Sequence, residues 1–504
     1  MTLLLATLAS AVLMWIAFPP LNVGALVFVA PAPFLWALRK AERPGEASWL
    51  GFVFATLFFA ATLRWIALLG IVAWLPLAIA EGAYGALFGV GIWAIRKLPP
   101  TKWWLATVGL WALWEFARER WPFGGFPWGA LGNGVGTLAW PRGATQWIGT
   151  TGWSVVAVAV AATIALIADD RRVRVPGRIT FGSLAVLIVA GALFAPSADG
   201  RPFTVAIVQG GSPCPRLHCV NETELILASH LRLTAEELSV EDGIDLVVWS
   251  ENSLGTETYP FTNPEVFAAI VSEAERLGSY FLISGTRVPE DQPDRFINAN
   301  LMFSRRGDPI GEYLKRHPVP FGEYIPLRDS LSFIPELAAV PRDMIRGTEP
   351  VVFDLTEGIL GSVISFEGAF ARTVRSEAAE GAELLVILSN EGSYGRTEAS
   401  DQLIGLTRMR AAETGIPIVH AAITGKSLFI GADGSLGEES TALFNPSVLV
   451  GDVNWRTAGK TLYVRFGDWL QVLAIVAGIV AAIPDTRRRK ALTTPPWAQP
   501  RERA

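Results

Sequence analysis

Three polar side chains stand where short apolar runs end: Glu251 after LVVWS, Lys315 within EYLKRHPVPFGEYIP, and Ser365 within GSVISFEGAF. A carboxylate, an ammonium and a small hydroxyl at strand ends are the parts of an acyl-transfer site, namely a base, a group to hold the oxyanion and a nucleophile. Residue types alone do not separate this reading from the bland one, because a Glu or Lys beside a strand is ordinarily a solvated surface residue.

The elements that would have to position these residues are legible from Pro202 onward. The runs FTVAIVQG, IDLVVWSE, YFLISGTRV, ILGSVISFE, ELLVILSNEG and IPIVHAAI have strand length, are rich in Val, Ile, Leu and Phe, and read as strands buried on both faces. Charged helical stretches over 222–240 and 264–277 lie between the first three runs. Alternating strands and helices predict a layered α/β domain.

The first 195 residues have a different character. Of 504 residues 51% are hydrophobic and only 18% charged, and the mean hydropathy is positive. Fifteen of the 19 Trp precede residue 160. A helix needs roughly 20 mostly apolar residues to cross a bilayer. Eight segments qualify as candidates, starting near Thr2, Val23, Trp49, Ala73, Trp103, Gly152, Thr180 and Trp469. Basic residues collect on the cytoplasmic side of such helices. The clusters Arg39, Lys40 and Arg43; Arg96, Lys97 and Lys102; Arg171, Arg172, Arg174 and Arg178; and Arg487 to Lys490 all fall on one side of an eight-span alternation. The expected organisation is therefore transmembrane helices over 1–195, an extracytoplasmic domain over 196–466, a last span over 467–484 and a cytoplasmic tail over 485–504, with both termini in the cytoplasm.

Ionisable residues inside spans are costly and face protein. Arg64 and Glu81 are expected to neutralise each other. Glu115 and Arg118, followed by WPFGGFPWG, read equally as a neutral pair or as a polar rim for a lipid headgroup. Cys214 and Cys219 form a small disulfide if their loop faces an oxidising compartment, and otherwise remain two thiols. The net charge of −5 and the lack of a basic stretch interleaved with aromatics exclude a nucleic-acid partner from the reading. The His are scattered and no cluster has ligand spacing, so no metal and no cofactor are expected.

The segments VVWSENSLG, YLKRHPVPFGEYIPLR, VISFEG, GAELLVILSNEGSYG and RMRAAETGIPIVHAAITGKSLFIGADG, with AFPPL and LWEFARERWPFGGFPWGALG in the membrane half, resemble the bacterial apolipoprotein N-acyltransferase family, a membrane-bound branch of the nitrilase superfamily. The resemblance implies a membrane α-helical bundle beneath a nitrilase-like αββα sandwich with a Glu-Lys-Cys triad. It makes Glu251 the general base, Lys315 the oxyanion stabiliser and Glu323 a further essential acid. Ser365 occupies the cysteine position, Phe366 stands where a tyrosine is usual, and Glu367 matches the acid two residues beyond the nucleophile. Asn390 and Tyr394 lie in NEGSYG, where the family has NDAWFG; Trp128 and Arg118 are carried over as supporting or substrate-binding residues. WSE replaces WPE, and Gln402 with Leu403 replaces a QH pair. The implied reaction takes an acyl chain from a phospholipid onto the enzyme and passes it to the α-amine of a diacylglyceryl-cysteine lipoprotein, at the cytoplasmic membrane and in a monomer.

Serine changes that chemistry. A thiol ionises near ~8.5 and a carboxylate helps to form the thiolate, whereas serine nucleophiles rely on a histidine or lysine base. Three readings follow: an engineered replacement within otherwise active machinery, a natural one in a diverged member that keeps lipid or lipoprotein binding, or a slow serine acyltransferase with Lys315 recruited as base. Retention of Glu251, Lys315 and Glu323 favours the first, and the changes near Asn390 the second. A catalytically silent binding homologue and a membrane-bound amidase are the alternatives from other classes.

Overall fold

A computed structural model of the chain describes residues 1–169, 174–214 and 219–483. Arg171 and Arg172 of the basic turn, Arg487 to Lys490 and the tail expected over 485–504 lie outside the described residues.

Helical segments stand at all eight expected places. They begin with α1 (Thr2–Ile16), α2 (Pro31–Lys40), α3 (Pro44–Thr62), α4 (Ile71–Ile95), α5 (Pro100–Arg118), α6 (Thr145–Asp169) and α7 (Arg174–Leu193). Among the described residues four of these, α3, α4, α6 and α7, are long and apolar enough to cross a membrane. The segment expected from Val23 is not one continuous span. It divides into a short turn of 3-10 helix at Gly24–Phe28 and the ten-residue α2. Pro31 and Pro33 account for the break, since proline lacks an N–H and is tolerated only in a helix's first turn. Pro44 and Pro100 mark the starts of α3 and α5 for the same reason.

Small residues bring these helices close. A Cβ on Gly51 of α3 would stand 2.1 Å from the Gly85 carbonyl oxygen of α4, so the two backbones touch where neither carries a side chain. That is how helices pack where water offers no drive to association.

Two sheets make up the second half. The first has the order β13-β1-β2-β3-β4-β5, from β1 (Pro202–Gln209), β2 (Leu246–Leu254), β3 (Tyr280–Arg287), β4 (Arg295–Phe303), β5 (Pro309–Leu314) and β13 (Ser447–Asn454), with the two-residue β6 (Asp343–Met344) on β4. The second has the order β12-β11-β10-β9-β8-β7, from β7 (Val352–Asp354), β8 (Ile359–Ile364), β9 (Leu384–Ser389), β10 (Ile418–Ala422), β11 (Leu428–Ile430) and β12 (Leu436–Ser440). The central pairs β1–β2, β2–β3, β8–β9 and β9–β10 are parallel, and the outer pairs are antiparallel except for the two-residue β6, which runs parallel to β4. Alternate residues of each strand face opposite sides. Phe203, Val205 and Ile207 meet Leu360, Val363 and Val386 between the sheets, while Ala206, Val208 and Trp249 meet helices α8 (Glu222–Glu237) and α9 (Pro264–Leu277) outside. Helices α10 (Ala371–Glu380) and α11 (Ala399–Thr414) accompany the second sheet, completing an α/β sandwich, and α12 (Trp469–Ala482) returns to the helical half against α5.

The helical half and the sandwich are joined by buried polar bonds. Gln402 of α11 donates to the Thr62 carbonyl at 2.8 Å and accepts from the Trp65 indole at 3.0 Å. Arg410 donates to the Thr150 hydroxyl at 2.7 Å, and Glu413 accepts from the Thr150 N–H at 2.7 Å. One sequence expectation is corrected here. Arg64 and Glu81 do not neutralise each other: Arg64 forks onto Glu398 of the sandwich at 2.6 and 3.0 Å, and Glu81 meets Arg118 at 3.4 Å. The short helical turn after α3 carries Arg64 toward the sandwich and leaves Glu81 facing α5. Cys214 and Cys219 are joined in a disulfide.

Candidate active site

The register between β2 and β3 shifts between Trp249 and Leu254, and Asn252 takes a φ of +62°. Such a bulge re-aims a side chain at a strand's end. It lies beside Glu251, which is buried, with both carboxylate oxygens occupied: Oε1 accepts from the Lys315 ammonium at 3.0 Å and the Asn298 amide at 2.9 Å, and Oε2 accepts from the Asn390 N–H at 2.6 Å. Lys315 follows β5 and is 1% exposed. Its ammonium also donates to Glu323 at 2.6 Å, and the other Glu323 oxygen accepts from the Val319 N–H at 2.8 Å. Burial alone would depress the lysine, but the carboxylates of Glu251 and Glu323 outweigh it and hold the ammonium above its ordinary value. Lys315 is thus a fixed cation, a poor base and a good partner for developing negative charge.

Ser365 follows β8 directly, opening a turn in a left-handed conformation with φ +51° that is uncommon for a residue with a side chain. Glu367 holds that turn. Its Oε2 accepts from the Ile364 N–H at 2.9 Å and the Tyr313 hydroxyl at 2.8 Å, while Oε1 accepts from the N–H groups of Arg316 and His317 at 2.8 and 2.9 Å. One carboxylate therefore clamps the Ser365 turn to the loop that carries Lys315. Burial raises Glu367 above the usual carboxylate range against the lowering effect of those donors.

Aromatic residues continue the site toward the helices. Phe366 stacks on Trp128 with ring centroids 5.7 Å apart and 17° between planes, and Trp128 stacks in turn on Phe126. Arg118 holds the Trp128 segment through its carbonyls, donating to Phe126 at 3.2 Å and Trp128 at 2.8 Å. Its neighbour Glu115 accepts from the Trp111 indole and the Leu131 N–H. His317 packs against Phe370 and is pushed down to about 3 by burial, then by Arg372, Arg346 and Lys315, so it is neutral near pH 7. Tyr394 packs edge-on against Trp65, and the Asn390 side chain donates to Asn252 at 2.8 Å.

The structure thus brings Glu251, Lys315, Glu323 and Asn390 into one hydrogen-bonded cluster, and Ser365, Phe366, Glu367 and Trp128 into a second, joined through the Lys315–His317 loop. Arg118 acts on the second through Trp128, and Tyr394 flanks the first across the junction. Sequence reading missed Asn298, whose amide bridges Glu251 and, at 3.5 Å, Glu323. It also missed Tyr313, Ser389 and Glu391. Asn298 and Tyr313 stand in β4 and β5, which lie outside the six long apolar runs; the alternation of Ile297, Ala299 and Leu301 with Asn298 and Asn300 was the signal that could have found β4. Ser389 and Glu391 close a run already read as a strand, so their place at its carboxyl end was an available signal.

Residues 10–163 match the family model described as apolipoprotein N-acyltransferase N-terminal domain, and residues 204–461 match that of carbon-nitrogen hydrolase. Among the relatives are apolipoprotein N-acyltransferases of Geobacter metallireducens, 28% identical over 97% of this chain and 96% of the relative, and of Gloeobacter violaceus, 29% identical over 95% and 93%. That of Rhizobium rhizogenes is 30% identical over 86% of each chain. With both halves matched in order and nearly the whole length aligned, this chain belongs to the apolipoprotein N-acyltransferase family, its helical half followed by a carbon-nitrogen hydrolase domain.

Proposed function

We propose that the chain moves an acyl chain from a phospholipid to the α-amine of a diacylglyceryl-cysteine lipoprotein, through an acyl-enzyme on Ser365. The observation that carries this reading is the pairing of a buried, fixed Lys315 ammonium with a residue of nucleophilic type held in a left-handed turn, both tied to Glu367. In the scheme Lys315 stabilises the oxyanion. Glu251 is the general base and takes up the proton of the attacking amine, and Glu323 keeps the ammonium in place. Asn390 and Asn298 orient Glu251. Phe366, Trp128, Arg118 and Tyr394 line or support the approach of the lipid from the helices.

The serine sets the rate. An alcohol is a far weaker acid than a thiol, so acylation is much slower than in the Ser365→Cys form. The topology that fits this role has eight spans, both termini in the cytoplasm and residues 196–466 outside, with 467–484 as the last span. The disulfide between Cys214 and Cys219 supports an oxidising compartment for that domain. The test is covalent loading by phospholipid, compared between the chain and Ser365→Cys: faster gain of one acyl chain by the cysteine form is expected, and no gain by either form would overturn the reading.

A further inference from the structure

A serine nucleophile needs somewhere to send its proton during acylation, and the two candidates the sequence offered are already engaged. Lys315 is held charged between two carboxylates, and both oxygens of Glu251 are already engaged by Lys315, Asn298 and Asn390. The Ser365 hydroxyl instead meets the Ser389 hydroxyl at 3.4 Å, at the carboxyl end of the adjacent strand β9. Ser389 donates onward to Glu391 Oε1 at 3.3 Å, and the same oxygen lies 3.3 Å from His420 Nε2 on β10. The line from Ser365 to His420 runs across three neighbouring parallel strands. Ser389, Glu391 and His420 are each at most 2% exposed, and Glu391 Oε2 and His420 Nδ1 are buried without a hydrogen-bond partner among the described residues. Gly425 makes the room, since a Cβ there would stand 2.3 Å from Glu391 Oε2. An acid and an imidazole buried together at the end of a hydroxyl chain are the parts of an acid–base couple for an alcohol. Tyr394 faces Glu391, and Glu251, Lys315 and Glu323 are the further charged groups that act on the same tyrosine hydroxyl.

We infer that Ser389, Glu391 and His420 form a proton path that serves the Ser365 hydroxyl. Ser389 is the group in contact with the nucleophile, and Glu391 and His420 are positioning residues that act through it. The inference rests on the proposed role of Ser365 as nucleophile. As the Ser365 Oγ–acyl carbon bond forms, the Ser365 proton moves to Ser389 Oγ and the Ser389 proton moves to Glu391, where His420 Nε2 shares it. When the tetrahedral adduct collapses, the ester C–O bond to the lysophospholipid breaks and its oxygen takes the proton back along the same path. Nothing else is consumed. Hydrogen bonds of this length are long, as catalytic contacts are before substrate tightens them.

A fluorophosphonate reads the nucleophile without lipid, because Ser365 Oγ bonds to phosphorus as fluoride leaves and the proton departs along the path. The full-length protein in detergent is labelled with it and followed by intact mass, as the parent and as Ser389→Ala, Ser389→Thr, Glu391→Gln and His420→Gln. The same substitutions in Ser365→Cys are followed by acylation from phospholipid. Ser389→Ala and Glu391→Gln are expected to slow labelling of Ser365 by about a hundredfold, the low end of what a general base contributes. Ser389→Thr, which keeps the hydroxyl, restores most of it, and His420→Gln changes the pH profile of labelling. The loss in the serine form exceeds that in the cysteine form at least about tenfold, because a thiol ionises with less help. Equal losses in both forms would assign these residues a merely structural part and overturn the path. Absence of labelling on Ser365 while Ser365→Cys is acylated would overturn it too and leave the acyltransferase reading standing. Labelling that depends on Ser389 with no acylation of either form would sustain the path and sink the acyltransferase reading instead.

Discussion

A buried ammonium between two carboxylates cannot be removed without leaving charge behind. Lys315→Met takes away the cation that holds Glu251 and Glu323 together. In a Ser365→Cys background we expect acyl transfer to fall by at least about a hundredfold, the size seen when an oxyanion donor is removed. Transfer at the parent rate would take Lys315 out of the mechanism. Two histidines give a second prediction at this scale. Burial pushes His230 down to about 4 and, with nearby cations, His317 to about 3, from an ordinary 6.5. A histidine whose folded pKa is depressed lets the unfolded chain bind more protons, so stability is undiminished above about 6.5 and falls as pH drops toward the folded value. The thermal midpoint in detergent should decline below that pH, and less steeply for His230→Gln. Parallel curves for parent and variant would contradict the assignment. Glu251 and Ser365 were legible at the ends of recognisable apolar strands, and Lys315 and Glu323 through the motif that carries them. Asn298 was not: Ile297, Ala299 and Leu301 alternate with Asn298 and Asn300 as a strand should, but the role of Asn298 depends on a bond to Glu251 47 positions away.

Elements were legible in proportion to their uniformity. The six apolar runs all fold as strands, and the helices over 222–240 and 264–277 appear as Glu222–Glu237 and Pro264–Leu277. The short strands β7, β11 and β12 at the two ends of the second sheet were missed, since three to five residues carry no period of their own. In the helical half an apolar run proved less informative than its punctuation. Pro31 and Pro33 divide the run that begins at Val23, so hydropathy over a window overstated a span that proline interrupts. Close helix contacts were invisible, because a glycine in sequence does not announce which backbone approaches it. Gly85 supplies the test. A Cβ there would stand 2.4 Å from the Gly51 carbonyl oxygen and 2.6 Å from the Ala55 Cβ. Gly85→Val should therefore force α3 and α4 apart and cost about 1–3 kcal/mol, the range for overpacking. A lowered midpoint of thermal unfolding with the hydrolase half still structured is expected, and an unchanged midpoint would mean that the contact relaxes freely.

The whole molecule unites a membrane-type half and a hydrolase-type half through side chains that neither half would bury alone. Gln402, Arg410 and Glu413 of α11 bond to Thr62, Trp65 and Thr150 of the helical half, and Arg64 crosses to Glu398. In the proposed topology this seam lies at the outer face of the membrane. An impermeant thiol reagent applied to cells should label a cysteine placed at exposed Glu241 and spare one placed at exposed Lys97; the reverse pattern would invert the topology. Acyl loading of the residue at position 365 is tested most directly by intact mass spectrometry of the purified chain and of Ser365→Cys after incubation with phospholipid. The cysteine form is expected to gain the mass of one acyl chain quickly and the serine form only slowly, with Ser365 or its replacement as the modified residue. Failure of both forms to gain mass, or equal rates in the two, would contradict this expectation.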